Sequence, residues 1–253
     1  MATVLHPNET YPVHHVPTTR PFLWLRDGWE DFMHHRGASL AYGAIVSILG
    51  TLILAYARHP LFLAGVMSAF LLVGPIFTAG LCELSRCRDH GEPSDFQHSL
   101  LALSKNRDRL FDFAIALAFM ALTWFALTGF FIYGSTGSLA PSFEATIWGD
   151  VMRHISITQL TYYVGIGAVL AAGVFAVSVV SVPMIIDQHV DARVAMRMSL
   201  KVTARELPAM LVWATLIVIL VMIGFATSLL AMVFIFPLLG HATWRAYREL
   251  VEP

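Results

Sequence analysis

Charged residues are scarce in this sequence of 253 residues. They make up 13% of the chain, whereas soluble domains carry about 25%. Hydrophobic residues reach 57% and the mean hydropathy is +0.67, so much of the surface that water could solvate is missing. The net charge of −1 also lacks the basic excess of a nucleic-acid-binding protein. The composition therefore predicts an integral membrane protein and no nucleic-acid partner.

Cysteine and the common motifs of catalysis are also lacking. Cys82 and Cys87 are the only cysteines, and their spacing fits neither a zinc site nor a redox pair. The chain has no glycine-rich loop followed by Lys and Ser or Thr, no Gly-x-Ser-x-Gly turn and no His-Glu-x-x-His helix. Haem and copper oxidase cores use histidine ligands, and of the eleven histidines only His241 falls inside a predicted span. We expect a protein that is not an enzyme, with no cofactor and no metal site.

What the sequence has instead is a series of long stretches without charge, and these predict an all-α membrane protein. A helical span needs about 20 apolar residues. The longest uncharged window, 207–244, would form a helix about 57 Å long, nearly two membrane thicknesses. We therefore place a break near Gly224, and a single long tilted helix is the alternative. The six predicted spans are about 39–57, 61–84, 112–133, 159–186, 207–223 and 227–245.

The basic residues lie almost entirely on one side of these six spans. Of the 16 basic residues, only Arg58 and Arg153 fall on the opposite side. Because short cytoplasmic loops retain Lys and Arg, we expect both termini in the cytoplasm. Residues 1–20 contain three prolines and no apolar signal segment, which predicts a cytoplasmic tail. A single six-helix membrane domain is predicted to follow over residues 21–253.

Three prolines indicate that the six spans are three related hairpins. Trp29 precedes Pro75 by 46 residues, and Asp191 precedes Pro237 by the same number. Pro183 has the equivalent position in the longer middle unit. Proline removes a backbone donor and disturbs the carbonyl four residues earlier, so each of these helices should kink. The alternative is the ordinary frequency of proline in membrane helices. The carbonyls concerned are those of Leu71, Val179 and Val233.

Two connecting segments are predicted to form amphipathic helices at the cytoplasmic surface. One has an apolar stripe of Val194, Met198 and Val202 beside a basic stripe, which is typical of a helix in the headgroup layer. Anionic lipid headgroups are its expected partners, and a surface that docks another protein is the alternative. The basic stripe consists of Arg193, Arg197, Lys201 and Arg205.

The second amphipathic segment precedes the first span and has apolar and acidic sides. Its polar side includes Asp31. The segment has the same headgroup-layer pattern as the basic one. The apolar stripe consists of Phe22, Leu25, Trp29, Phe32 and Met33, opposite Arg26, Asp27, Glu30 and Asp31.

Three ionisable residues follow the three prolines, toward the cytoplasmic ends of the even-numbered spans. They are Glu83, Asp187 and His241. Ionisable groups inside a membrane are functional candidates, so one hypothesis is a polar cluster that handles protons or cations. The alternative is that these side chains reach individually to headgroups and water.

The chain resembles a bacterial family of predicted integral membrane proteins of unknown function, from about Val16 to Val251. The resemblance rests on Ser39-Leu40-Ala41-Tyr42-Gly43, Leu71-Leu72-Val73-Gly74-Pro75, Glu83-Leu84-Ser85-Arg86 and Gly240-His241-Ala242-Thr243-Trp244-Arg245-Ala246-Tyr247-Arg248. It implies a multi-pass protein of the bacterial inner membrane and supplies no catalytic residues. Some members are labelled as a cytochrome c oxidase subunit, which implies a respiratory complex as one setting.

The sequence therefore favours a non-catalytic membrane protein. We expect it to be an accessory subunit, scaffold or assembly factor of a larger complex, or a homo-oligomer. The alternative is a small-solute or ion transporter or channel, because kinked helices at a repeat interface are where transporters place their substrate sites.

Overall fold

The computed structural model of the chain describes residues 11–56, 74, 77–136 and 157–251. All regular structure in these ranges is helical, which confirms the predicted all-α class for them. The helices are α1 (Arg20–His34), α2 (Arg36–Tyr56), α3 (77–90), α4 (Phe96–Lys105), α5 (Arg107–Thr136), α6 (Ile157–Ser178), α7 (Ser181–Gln188), α8 (Ala192–Arg205), α9 (Leu207–Ala226) and α10 (Met232–Val251).

Three segments of the described chain are long and apolar enough to cross a membrane. They are Arg36–Ile53, Gly167–Gln188 and Leu207–Ala226. They overlap the first, fourth and fifth predicted spans, so the prediction of apolar, membrane-length helices at these places is confirmed.

The other three predicted spans remain predictions. The third, 112–133, lies within α5, and the sixth, 227–245, overlaps α10. Most of the second, 61–84, lies outside the described residues, together with Pro75. The arrangement of six spans as three hairpins is therefore also still a prediction.

The break predicted in the longest uncharged window is confirmed. Helix α9 ends at Ala226 and α10 begins at Met232, so the alternative of one long helix is wrong. Ser228 and Leu229 in the turn have positive φ angles of 52° and 68°. This conformation costs a side-chain-bearing residue about 1–2 kcal/mol. The hydroxyl of Ser47 on α2 donates to the Leu229 carbonyl at 2.8 Å and so helps to hold the turn.

A second break divides the predicted span 159–186, which the sequence analysis treated as one helix. Helix α6 ends at Ser178 and α7 begins at Ser181, close to the Val179 carbonyl that Pro183 was expected to disturb. The Ser199 hydroxyl of α8 is inserted here. It accepts from the Val180 N–H at 3.5 Å and donates to the Ala176 carbonyl at 2.7 Å. A side chain therefore replaces one backbone bond of the helix, which is a recognised cause of bending.

At Pro237 the helix continues, and α2 packs closely against the preceding turn. A Cβ atom placed on Gly43 would lie 2.0 Å from the Val233 carbonyl oxygen, which is the carbonyl four residues before the proline. Only glycine permits this approach, because any side chain would collide with backbone. The kink prediction thus identified the carbonyl that α2 covers.

The main core is formed by the segment 11–19 together with helices α1, α3 and α5 to α10. Trp24 of α1 and Trp213 of α9 are almost fully buried, and their rings meet edge to face at 5.8 Å. Val16, only 3% exposed, packs into the same cluster. The outer side of α9 is in contrast widely exposed and apolar, as expected for a helix whose other neighbour is lipid.

Candidate functional site

A buried carboxylate joins three helices at the charged end of α10. Asp31 of α1 has no exposed surface. It accepts from Ser85 of α3 at 2.8 Å, from Arg88 of α3 at 2.5 Å, and from Arg245 of α10 at 2.7 and 2.5 Å. Burial raises the pKa of the Asp31 carboxyl, but the hydrogen bonds and charge of Arg245 outweigh it and hold the pKa below its ordinary value. Asp31 is therefore a charged group with its acceptor sites fully used.

Asp31 lies on the face of α1 that is turned toward the protein interior. Trp24, Gly28 and Asp31 recur at helical spacing on one face, and all three are buried. A Cβ atom on Gly28 would lie 2.7 Å from the Ala242 nitrogen, so glycine allows the two helices to touch. The Trp24 indole donates to Glu249 at 2.7 Å. The prediction that Asp31 lies on the outward polar side of this segment is wrong, because its partners on α3 and α10 draw it inward.

His241 extends the network from Asp31 to α2. Its Nδ1 lies 2.8 Å from the Ser85 hydroxyl, and its Nε2 lies 2.9 Å from the Ser39 hydroxyl. Since Ser85 gives its proton to Asp31, it must accept from His241 Nδ1–H. In a neutral imidazole Nε2 is then the acceptor, and Ser39 is its donor. A directed chain of hydrogen bonds thus runs from α2 to the carboxylate of α1.

The outer edge of the network is built around Asp89 at the end of α3. Asp89 accepts from Arg245 at 2.8 Å and from the Trp244 indole at 2.9 Å. Arg248 lies 3.7 Å from the same carboxylate and 6.0 Å above the Trp244 ring. Arg245 therefore bridges a buried and a half-buried carboxylate. We call the set Asp31, Ser39, Ser85, Arg88, Asp89, His241 and Arg245 the Asp31 network.

The three residues predicted to form a polar cluster have separate partners. Glu83 pairs with Arg86 at 2.8 Å, and Asp187 accepts from the Tyr247 hydroxyl at 2.7 Å. His241 belongs to the Asp31 network. In the described part of the chain no group of three or more His, Cys, Asp or Glu side chains is placed to hold a metal ion. The proton- or cation-handling hypothesis stays a prediction.

The basic stripe of α8 faces outward. Arg193, Arg197 and Arg205 are exposed, whereas Lys201 is half-buried and donates to the Tyr11 carbonyl at 3.1 Å. Three of its four members are thus available to a partner outside the chain.

The opposite side of α8 packs on the protein itself. Ala195, Met198 and Val202 belong to the main core cluster, and Ser199 bridges the break between α6 and α7. Of the predicted apolar stripe, Met198 and Val202 therefore lie in the protein interior, whereas Val194 is half-buried outside the core cluster.

The segment 11–19 runs along the same end of the bundle. Glu206, only 6% exposed, accepts from the Val16 N–H at 3.1 Å and contacts His15 Nδ1 at 3.0 Å. The His14 N–H donates to the Leu250 carbonyl at 3.0 Å. Residues 11–19 of the predicted tail are therefore docked on their own chain.

Of the Asp31 network, only His241 was predicted from the sequence as a candidate site residue, and the central Asp31 was not. One signal for Asp31 was present, because Trp24, Gly28 and Asp31 share one phase of a helix. Ser39 and Ser85 had no such signal, since a serine in an apolar helix is common and its partner lies far away in sequence.

Comparison with known proteins identifies a family of membrane proteins. Residues 62–187 match the model of the family described as "Predicted integral membrane protein (DUF2189)". No curated protein and no solved structure matches the chain. The matched range contains Ser85, Arg88 and Asp89 of the Asp31 network, while Asp31 and His241 lie on either side of it.

Proposed function

Since the chain belongs to this family of predicted integral membrane proteins of unknown function, we propose that it is a non-catalytic accessory subunit, scaffold or assembly factor of a larger membrane complex. The resemblance to proteins labelled as a cytochrome c oxidase subunit makes a respiratory complex the first to examine. We further propose a bacterial inner-membrane location with both termini in the cytoplasm, from the distribution of basic residues.

The observation that carries this proposal is the saturation of the Asp31 network. Asp31 receives four hydrogen bonds from three side chains, and both nitrogens of His241 are engaged by serines. A solute-handling site needs groups that can exchange partners, whereas these groups hold α1, α2, α3 and α10 to each other. Such a network favours a fixed support over a binding pocket.

The outer surfaces support the same proposal. Helix α9 exposes Leu211, Val218 and Met222, each by more than half of its surface. In a membrane such a face is covered by lipid or by the spans of another protein. The basic side of α8 adds a surface for anionic headgroups, where each basic side chain contributes about 1 kcal/mol.

The test is the composition of the complex in native membranes. The full chain, tagged at its N-terminus, would be cross-linked in intact membranes and purified in mild detergent, with the untagged chain as the control. We expect stoichiometric partner subunits that are absent from the control. A chain that migrates alone at monomer size, even after cross-linking, would contradict the proposal.

A transporter or channel is the second candidate, and the break between α6 and α7 favours it. Substrate sites of transporters commonly use discontinuous helices. Here the interrupted backbone at Val180 is held by Ser199. Purified protein in sealed vesicles would be assayed for flux of protons and small cations. Flux above that of empty vesicles, lost on Ser199→Ala in a folded protein, would favour the transporter over the scaffold.

A further inference from the structure

We propose that one face of α1 is inserted into the interfacial layer of the bilayer through Phe22, Trp29 and Met33. The occupant of this face is lipid and not a protein partner. This insertion of α1 does not depend on whether the chain is part of a larger complex.

These three side chains are exposed and lie on one line along the helix. Phe22 is 57% exposed, Trp29 43% and Met33 36%. At 3.6 residues per turn, residues 22, 29 and 33 point in nearly the same direction, and Asp31 points in nearly the opposite one. Arg26 lies beside these side chains, whereas the sequence pattern had predicted it opposite them. Its side chain is 68% exposed and long enough to reach headgroups from a lipid-embedded stem.

The inner face prevents α1 from turning this stripe toward the protein. Gly28 is in backbone contact with Ala242, and Asp31 is bonded to both Arg88 and Arg245. Rotation of the helix would break these bonds and leave the half-buried Arg88 and Arg245 without their shared carboxylate, which is strongly unfavourable. Phe22, Trp29 and Met33 therefore stay exposed, and water is a poor neighbour for them.

The depth of α1 follows from the helices beside it. Only His35 separates α1 from α2, whose membrane-length segment begins at Arg36. Asp31 is bonded to Arg245, in the charged half of α10. Helix α1 thus lies at the level where apolar spans give way to charged ends, which is the depth that tryptophan favours in membrane proteins.

An aromatic path joins the stripe to the lipid-facing surface of α10. The Trp29 ring stacks on Phe32 at 5.0 Å, and Phe32 lies 6.3 Å from Phe234, measured between ring centroids. Phe234 is 52% exposed on α10. Phe32 is only 3% exposed and packs between the two, so it connects the exposed ring of Trp29 on α1 to the exposed ring of Phe234 on α10.

The size of the stripe argues against a protein partner. A stable protein interface buries about 800 Å² on each side, which needs roughly 20 residues. Three partly exposed side chains on a single helix, flanked by Arg26 and Glu30, supply far less. An interfacial helix needs only one apolar face seated about 5–10 Å deep.

Spin-label accessibility in vesicles tests the proposal. Cys82 and Cys87 would be replaced by alanine, and nitroxides attached to single cysteines at Phe22→Cys and Trp29→Cys. The matched control is Glu30→Cys, on the adjacent side of the same helix, whose side chain is 58% exposed. The full chain would be reconstituted in vesicles of phosphatidylethanolamine and phosphatidylglycerol, and collisions with oxygen and with a water-soluble nickel chelate would be measured.

We expect labels at 22 and 29 to collide more with oxygen and less with nickel than the label at 30, at depths of about 5–10 Å. Equal nickel accessibility at 29 and 30 would place the stripe in water and overturn the proposal. Protection of 29 from both reagents would show a protein contact and would overturn it as well. Circular dichroism of each labelled chain would show that the helices are intact.

Discussion

Helices α1 and α8 are both short, amphipathic and placed before an apolar span. The exposed side of α1 carries apolar side chains, whereas the exposed side of α8 carries basic ones. Helix α1 exposes Phe22, Trp29 and Met33 and buries a carboxylate. Helix α8 exposes Arg193, Arg197 and Arg205 and buries Met198 and Val202. The difference arises from their neighbours, because α3 and α10 offer arginines to α1, whereas α8 meets the apolar core. Periodicity predicts that a helix has two faces, and the neighbours decide which of them is inside.

The strongest test of this comparison removes the inward charge of α1. Asp31→Ala leaves Arg88 and Arg245 without their shared carboxylate, so we expect destabilisation of about 3–5 kcal/mol. Thermal unfolding and gel filtration in mild detergent would measure it. Asp27→Ala is the matched control, because its carboxylate is 38% exposed and pairs only at the surface, where such pairs contribute about 0–1 kcal/mol. Equal losses from the two variants would contradict the assigned role of Asp31.

The corresponding change on the inner face of α8 should have a smaller effect. Ser199→Ala removes the hydroxyl that bridges Val180 and Ala176. The buried Val180 N–H is left unpaired at a cost of about 1–3 kcal/mol, while Thr203 still donates to the Ala176 carbonyl. Unfolding of the variant in detergent would be compared with Ser104→Ala, which loses an exposed hydroxyl bonded to Leu101. If both serines prove equally dispensable, the bridge does not hold the break between α6 and α7.

Acid should reduce the stability that the Asp31 ion pairs of α1 provide, whereas the arginines of α8 stay charged. The pKa of Asp31 is lower in the folded protein than its ordinary value, so its contribution to stability is present above the ordinary value and is lost as pH falls through the folded one. The slope of the free energy of unfolding from this group reaches at most about 1.4 kcal/mol per pH unit. Unfolding of the wild type between pH 6 and 2 would be compared with that of Asp31→Ala, which we expect to show the shallower acid slope. Identical slopes would contradict this assignment. The range from about pH 6 to about pH 2 brackets the ordinary carboxyl pKa of about 4.

The smallest change in stability is expected on the outer face of α8. Substitution of Arg193, Arg197 and Arg205 by Gln should leave stability unchanged within about 0.5 kcal/mol per site. The binding free energy for phosphatidylglycerol should weaken by about 1 kcal/mol for each arginine replaced, and by less at high salt, so less of this lipid should be retained. Mass spectrometry of lipids that co-purify with each protein would measure this. Unaltered retention would show that headgroups bind elsewhere.

The success of the prediction differed with the kind of interaction involved. The break between α9 and α10 was predictable from length alone, since 38 uncharged residues exceed one membrane crossing. The close approach of Gly43 to Val233 was predictable only in part. Pro237 identifies the Val233 carbonyl as the disturbed one, but the sequence does not show that α2 packs against it. The position of Asp31 was predicted wrongly, because its partners at residues 85, 88 and 245 are distant in sequence.

The amino-acid sequence by itself determined the helical class, the apolar segments of membrane length and the break between α9 and α10. These properties depend on hydrophobicity and backbone chemistry summed over adjacent residues. Only the tertiary structure decided which face of each amphipathic helix is inside, and which serines form hydrogen bonds with His241 and Asp31. A buried charge is tolerated only beside its partners, and their positions are set by packing between helices and not by the sequence around the charge.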